Sequence, residues 1–162
     1  METNQNPLLK YGINPEKGRS YENITYVLAL IYNTLQNQVE NYLSAFKLSA
    51  VQFNLIMLAA YRNDGKGLNQ VEISKSLIAS ASNITKLVEK SVKAGLLSRK
   101  INPNNRRENI ICITKTGQDL IDKVWPGYDK LVCSLTEKIP QSNRKQIETI
   151  LKNWLFALKQ EK

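Results

Sequence analysis

The chain contains no histidine among its 162 residues. Histidine is the most frequent general base near neutral pH and the most frequent ligand of transition metals in proteins. A Ser-His or Cys-His catalytic pair is therefore excluded, and the sequence has neither a glycine-rich nucleotide loop nor a cluster of carboxylates. We expect a protein that is not an enzyme, with no catalytic residues, no metal site and no cofactor.

Cysteine is scarce as well, since Cys112 and Cys133 are the only two and do not form a CxxC motif. Both stand within apolar patterns, which favours buried thiols with a structural role. A redox-sensing pair is the alternative, and the sequence leaves open whether either thiol is redox-active.

Long apolar runs are missing too. No segment approaches the roughly 20 apolar residues that a membrane-spanning helix needs. The N-terminal METNQNPLLK lacks the charged-then-apolar layout of a secretory signal. A composition of 42% hydrophobic and 23% charged residues is ordinary for a soluble globular protein. These features predict a cytoplasmic protein that does not contact the membrane.

Positive charge, in contrast, is concentrated in one segment. The net charge is +9, and residues 69–117 carry nine basic and three acidic side chains, so that 9 − 3 = +6 of the excess lies there. A solvated basic face would account for such a run. A concentrated basic stripe is also typical of a surface that binds phosphates.

The spacing of apolar residues predicts six helices. A loose arm, residues 1–19, precedes a long first helix that begins near Ser20, and Ser49 can cap the second. A short connector or edge strand then leads to Asn69 and Glu72, which fit the capping pattern of a brief third helix. Two long helices close the chain, and the first of them should continue, with a kink, through Pro126.

The middle of the chain predicts a winged helix-turn-helix. The fourth helix has an apolar inner face, Ile84, Leu87, Val88 and Val92, and ends at Gly95. Extended residues then run to a turn at NPNNRR, and NIICIT alternates back, which predicts a β-hairpin with a basic tip. The predicted fold class is mainly α with a small β-hairpin wing.

This arrangement suits double-stranded DNA. A helix fits the major groove, and arginines enter narrow minor grooves. The candidate contacts on the fourth helix are Ser80, Ser82, Asn83, Thr85, Lys86 and Lys90. The candidates on the wing are Asn105, Arg106 and Arg107, with Arg99 in support. The alternatives are a solvated face for Thr85 and Lys86, a salt bridge to Glu108 for the arginine pair, and a bond to the wing backbone for Arg99.

These residues resemble the MarR family of winged helix-turn-helix transcriptional regulators. The family pattern Thr-x-Leu-Val matches Thr85–Val88, Gly-Leu-hydrophobic-x-Arg matches Gly95–Arg99, and Leu-Thr-x-x-Gly matches Ile113–Gly117. Its Asp-Arg-Arg wing motif appears as Asn105-Arg106-Arg107. In the family the wing aspartate pairs with an arginine and stiffens the wing, so that the amide of Asn105 implies a looser wing.

The resemblance implies a homodimer that binds a near-palindromic operator, usually as a repressor, with its terminal helices intertwined. It also implies possible release of DNA by a small aromatic ligand bound between the two lobes. The tyrosines of the first helix could line such a pocket, although core or interface roles are commoner.

The expected domain organisation follows from this layout. Residues 48–117 form the winged helix-turn-helix domain, and residues 20–47 and 118–162 form a helical dimerisation region. Apolar faces outside the winged core favour a dimer over an intramolecular bundle. The expected interface residues are Ile147, Leu151, Trp154, Leu155 and Leu158.

The sequence therefore predicts a sequence-specific DNA-binding regulator. An architectural or partner-binding winged helix without strong sequence readout is the alternative. The operator, the regulated genes and the sign of regulation cannot be read from the residues.

Overall fold

The computed structural model describes residues 8–13, 20–62, 66–77, 81–102 and 105–160. The described residues form a mainly helical protein with one small antiparallel sheet, which confirms the predicted fold class. After a short 3₁₀ turn at Leu9–Tyr11, the elements in chain order are α1 (Ser20–Ser44), α2 (Ala50–Tyr61), β1 (Leu68–Asn69), α3 (Gln70–Ser76), α4 (Ala81–Lys93), β2 (Leu97–Asn102), β3 (Asn105–Ile113), α5 (Lys115–Thr136) and α6 (Gln141–Gln160).

The chain divides into two compact units, residues 1–50 and residues 51–162. In the first unit, the carboxylate of Glu40 on α1 organises the turn that follows the helix. Its Oε1 accepts hydrogen bonds from Gln36 Nε2 at 3.1 Å and from the backbone N–H of Ala50 at 3.0 Å. The charged acceptor thus satisfies a backbone donor at the start of the next helix, where no intrahelical partner exists.

The second unit has a core built from α2, α3, α4 and the sheet. Eight apolar side chains form this core, all of them nearly inaccessible to solvent: Leu55, Ala59, Leu68, Ile73, Ile84, Val88, Leu97 and Ile111. The strand order is β1-β3-β2, because the short connector before α3 pairs with β3 at Leu68–Ile111. The expected edge strand is therefore present, and it makes the wing part of a three-stranded sheet.

Gly67 permits this third strand to form. Its φ is +89°, and a Cβ atom there would lie 2.5 Å from Ile110 Cγ2 and 2.8 Å from the Ile111 carbonyl oxygen. A larger residue would be strained at this φ and would also collide with β3.

Thr114 joins the wing to α5. Its hydroxyl oxygen accepts from the backbone N–H of Gly117 at 3.0 Å, as a helix cap should. The same hydroxyl donates to the Gly95 carbonyl oxygen at 2.6 Å and lies 3.0 Å from that of Leu96. The predicted cap is confirmed, and α5 continues through Pro126 as expected.

The two cysteines differ from each other, and Cys112 alone agrees with the prediction of buried thiols. Cys112 is buried in β3, whereas Cys133 is exposed on α5. The prediction of a buried Cys133 was wrong because positions i and i+2 of an α-helix are separated by about 200° around the helix axis. Cys133 therefore lies nearly opposite its apolar neighbour Leu131. None of the described helices is long and apolar enough to cross a membrane.

Candidate nucleic-acid interface

The start of α3 is fixed by a complete capping box. Asn69 Oδ1 accepts from the backbone N–H of Glu72 at 2.9 Å, and Glu72 Oε2 accepts from the backbone N–H of Asn69 at 2.8 Å. Asn69 also belongs to β1 and pairs with Ile110. The seven-residue helix therefore begins from a point that is anchored in the sheet, as the capping signature predicted.

Helix α4 presents one apolar and one polar face. Ile84 and Val88 are buried, and Leu87 and Val92 pack against the same core. Ser91 is also buried, which the sequence pattern did not indicate; its hydroxyl donates to the Leu87 carbonyl oxygen at 2.9 Å. The inner face predicted from the sequence is thus confirmed.

The opposite face of α4 carries most of the predicted DNA contacts. Asn83, Lys86 and Lys90 are exposed, and Thr85 is half-buried. Ser80 lies outside the described residues, and Ser82 is described by its backbone alone, in the first turn of α4. At about 100° per residue, Lys86 and Lys90 lie on the side of α4 opposite the buried Ile84 and Val88, and Asn83 and Thr85 lie toward the two edges of that side.

The lysines on this face are not neutralised within the described residues. The ion pairs among the described residues lie on other helices. Lys115 pairs with Asp119 on α5 at 2.5 Å, and Glu148 pairs with Lys145 and Lys152 on α6. The hydrogen bond from Lys115 to Asp119 raises the pKa of that lysine, and the hydrogen bond from Lys152 lowers the pKa of Glu148. Within the described part of the chain, Lys86 and Lys90 have no ion-pair partner that would compete with a phosphate.

The wing is formed by β2 and β3, and its pairing is irregular at the tip. Ile101 pairs with Asn109, but Asn102 pairs with Asn105, so that one step in β2 corresponds to four steps in β3. Residues 106–108 therefore form a β-bulge, and a bulge changes the direction in which side chains leave the strand. Arg106 and Arg107 belong to it by their described backbone, and Asn105 is exposed.

Glu108, proposed as a partner for the arginine pair, accepts a hydrogen bond from Asn102 Nδ2 at 3.3 Å. The side chains of both arginines lie outside the described part of the structure. The salt-bridge alternative for the arginine pair therefore stays untested.

A cavity of about 290 Å³ lies between α3, α4 and the sheet. Its lining residues are Asn69, Gln70, Val71, Thr85, Glu89, Arg99, Glu108, Asn109 and Ile111. Arg99 is exposed and stands opposite Ile111 in the β-ladder. The sequence argument missed Gln70, although its place directly after the capping residue of α3 marks it as part of the helix-turn-helix.

The predicted interface residues lie on α6, which has no buried residue. Leu151, Leu155 and Leu158 are 42%, 49% and 55% exposed. Ile147 and Trp154 are half-buried. Such a set of exposed large apolar side chains on one helix is unusual for a surface that faces only water.

A scan against protein-family models found no match. Among solved structures, the mutant MarR C80S from E. coli, crystallised with operator DNA, shares the fold with a TM-score of 0.73 at 22% identity. The match covers 82% of this chain and 93% of that one. The multiple antibiotic resistance protein MarR of Salmonella typhimurium is 28% identical over 131 residues, 78% of this chain and 88% of that protein.

The chain is therefore similar in sequence to MarR of Salmonella typhimurium and shares the fold of MarR-family structures. This similarity agrees with the family that the motifs on α4 and the wing predicted. The prediction that the chain is not an enzyme agrees with its similarity to the HTH-type transcriptional regulator MhqR of Bacillus subtilis, which is 28% identical over 116 residues, 69% of this chain and 78% of that protein.

Another solved structure that shares the fold is CouR from Rhodococcus jostii RHA1, which was crystallised with p-coumaroyl-CoA. The TM-score is 0.74 at 23% identity, and the match covers 86% of this chain and 96% of the CouR chain.

Proposed function

We propose that this chain is a homodimeric repressor of the MarR family, which binds a pseudo-palindromic operator and releases it when a small aromatic ligand binds. The observation that carries the proposal is the exposed polar face of α4, where Lys86 and Lys90 stay unneutralised within the described residues beside the wing. A free basic face next to a hairpin suits a duplex that offers phosphates at both groove edges.

In this proposal α4 enters the major groove. Ser80, Ser82, Asn83 and Thr85 meet base edges and nearby phosphates with hydroxyl and amide groups, and the lysines contact the backbone. On the wing, Asn105, Arg106 and Arg107 enter the adjacent minor groove, and Arg99 supports the wing from β2.

A second copy of the chain would cover α6. Burying a leucine side chain contributes about 1.5–3 kcal/mol, so that Leu151, Leu155 and Leu158 from two protomers supply a substantial part of a dimer interface. Helix α1 carries a similar exposed stripe, which includes Ile24, Ile31 and Leu35. These two faces support the proposed dimerisation region at 20–47 and 118–162, which we place beside a DNA-binding domain at 48–117 and an arm at 1–19.

Release by a small aromatic ligand is the regulatory half of the proposal. CouR was crystallised with a coumaroyl thioester, and the present chain exposes Tyr26 and Tyr32 on α1. Tyrosine rings bind aromatic ligands by stacking and edge contacts. Adding coumaroyl and hydroxybenzoyl compounds to the protein–DNA complex should lower the fraction of bound DNA.

The deciding experiment is selection of bound duplexes from a random DNA pool, with light scattering on the same protein. We expect an inverted repeat with half-sites about 10 base pairs apart and a mass of two chains. An unenriched pool, with affinity that falls with salt equally on all sequences, would favour the architectural alternative. Enrichment of an unrepeated site by a single chain would contradict the dimer.

A further inference from the structure

The two helices of the helix-turn-helix are joined by a side-chain hydrogen bond. Gln70, the first residue of α3, donates from its Nε2 to Thr85 Oγ1 on α4 at 2.5 Å. Both groups border the cavity beside the wing. The bond thus links the first residue of α3 to the face of α4 for which we propose DNA contact.

Both ends of this bond are attached to well-anchored backbone. Gln70 directly follows Asn69, whose capping box and β1 pairing fix the start of α3. Thr85 directly follows Ile84, which is fully buried in the core. The bond therefore joins two anchored backbone positions, the start of α3 and the first turns of α4, and a displacement of either helix would break it.

The direction of the bond also sets the chemistry of Thr85. Because the amide of Gln70 donates, the hydroxyl oxygen of Thr85 accepts, and its single hydrogen must point to a different acceptor. The bond from Gln70 therefore fixes the orientation of the Thr85 side chain on the face of α4 that we propose meets DNA.

We propose that Gln70 is a positioning residue that acts through Thr85 to set the discrimination between operator and other DNA. The inference rests on the proposed DNA-reading role of α4 and adds a residue of α3 to it. Loss of the Gln70 amide should reduce the ratio of operator to random-sequence affinity by about threefold to tenfold, the range expected for one hydrogen bond. Affinity for random DNA should change little.

A double-mutant cycle tests this coupling. The variants are Gln70→Ala, Thr85→Val and the combination, with Gln70→Met as a second replacement that keeps the side-chain length. The dissociation constants for the selected operator and for a random duplex would be measured by fluorescence anisotropy. We expect each single change to lower discrimination, and the double variant to lose no more than Thr85→Val alone.

Gln141→Ala is the matched control, because Gln141 is an exposed glutamine at the first position of α6. It should leave discrimination unchanged. Losses that multiply in the double variant would show that Gln70 acts independently of Thr85, and full discrimination by Gln70→Ala would refute any role.

A second measurement needs no DNA. The three-bond couplings of the Thr85 methyl group in the free protein report its χ1 rotamer, which should change or become averaged in Gln70→Ala and Gln70→Met. An unaltered rotamer would overturn the inference. Absence of any operator preference in the unmodified protein, together with an altered rotamer in the variants, would instead refute the proposed function.

Discussion

Lys90→Gln should reduce the salt dependence of DNA binding. The size of the reduction shows whether one protomer or two contact the DNA through this residue. Lys90 is exposed on the outer face of α4 and has no ion-pair partner within the described residues. Each phosphate contact contributes about 0.9 to the slope of log K against log salt. A homodimer loses two contacts, so the slope should become shallower by about 1.8.

The predicted change is large enough to measure. Over a fourfold rise in salt, a slope difference of about 1.8 corresponds to roughly a twelvefold difference in how far affinity falls. The assay is a series of anisotropy titrations between about 50 and 200 mM salt, the range over which such slopes are clear. A difference near 0.9 would indicate one contacting protomer.

Lys145→Gln is the matched control, since it removes the same charge from a lysine that is paired with Glu148 on α6. It should leave the slope unchanged. Equal slopes for Lys90→Gln and Lys145→Gln would refute the assignment of α4 to the phosphate-binding surface.

Three further outcomes are expected. Asn69→Ala should destabilise the protein by about 0.5–2 kcal/mol, because the capping hydrogen bonds are lost; urea denaturation measures this, and an unchanged midpoint would contradict the role of the cap. Leu155→Asp should convert the proposed dimer to single chains in light scattering while the helical circular dichroism is retained; an intact dimer would place the interface elsewhere. The pKa of Glu148 lies below its usual 4.5, chiefly through Lys152, so its stabilising effect is full above pH 4.5 and is lost as pH falls through the folded-state pKa. Glu148→Gln should therefore remove part of the acid sensitivity of unfolding, and identical acid profiles would refute this.

Local features of the fold could be predicted because their causes lie within a few residues. The capping box at Asn69 and the cap at Thr114 are sequence patterns that the structure reproduces. Gly95 ends α4 with φ of +71°, as a glycine in a left-handed cap should. The inner face of α4 followed from a helical period of 3.6 residues.

Contacts between distant residues could not be predicted in this way. The pairing of Leu68 with Ile111 and the hydrogen bond from Gln70 to Thr85 depend on how separate elements pack. The bulge that holds residues 106–108 depends on the register of two strands, which a hairpin pattern alone does not fix. The predicted DNA contacts and the interface on α6 stay predictions until binding is measured.

The hydroxyl of Thr114 has a mechanical consequence. It holds the first turn of α5 through Gly117 and the end of α4 through Gly95 at the same time. A tilt of α5 would therefore move the end of α4 and the start of β2 together with it. In the complex with DNA that we propose, such a tilt would change the angle between α4 and the duplex without unfolding either helix.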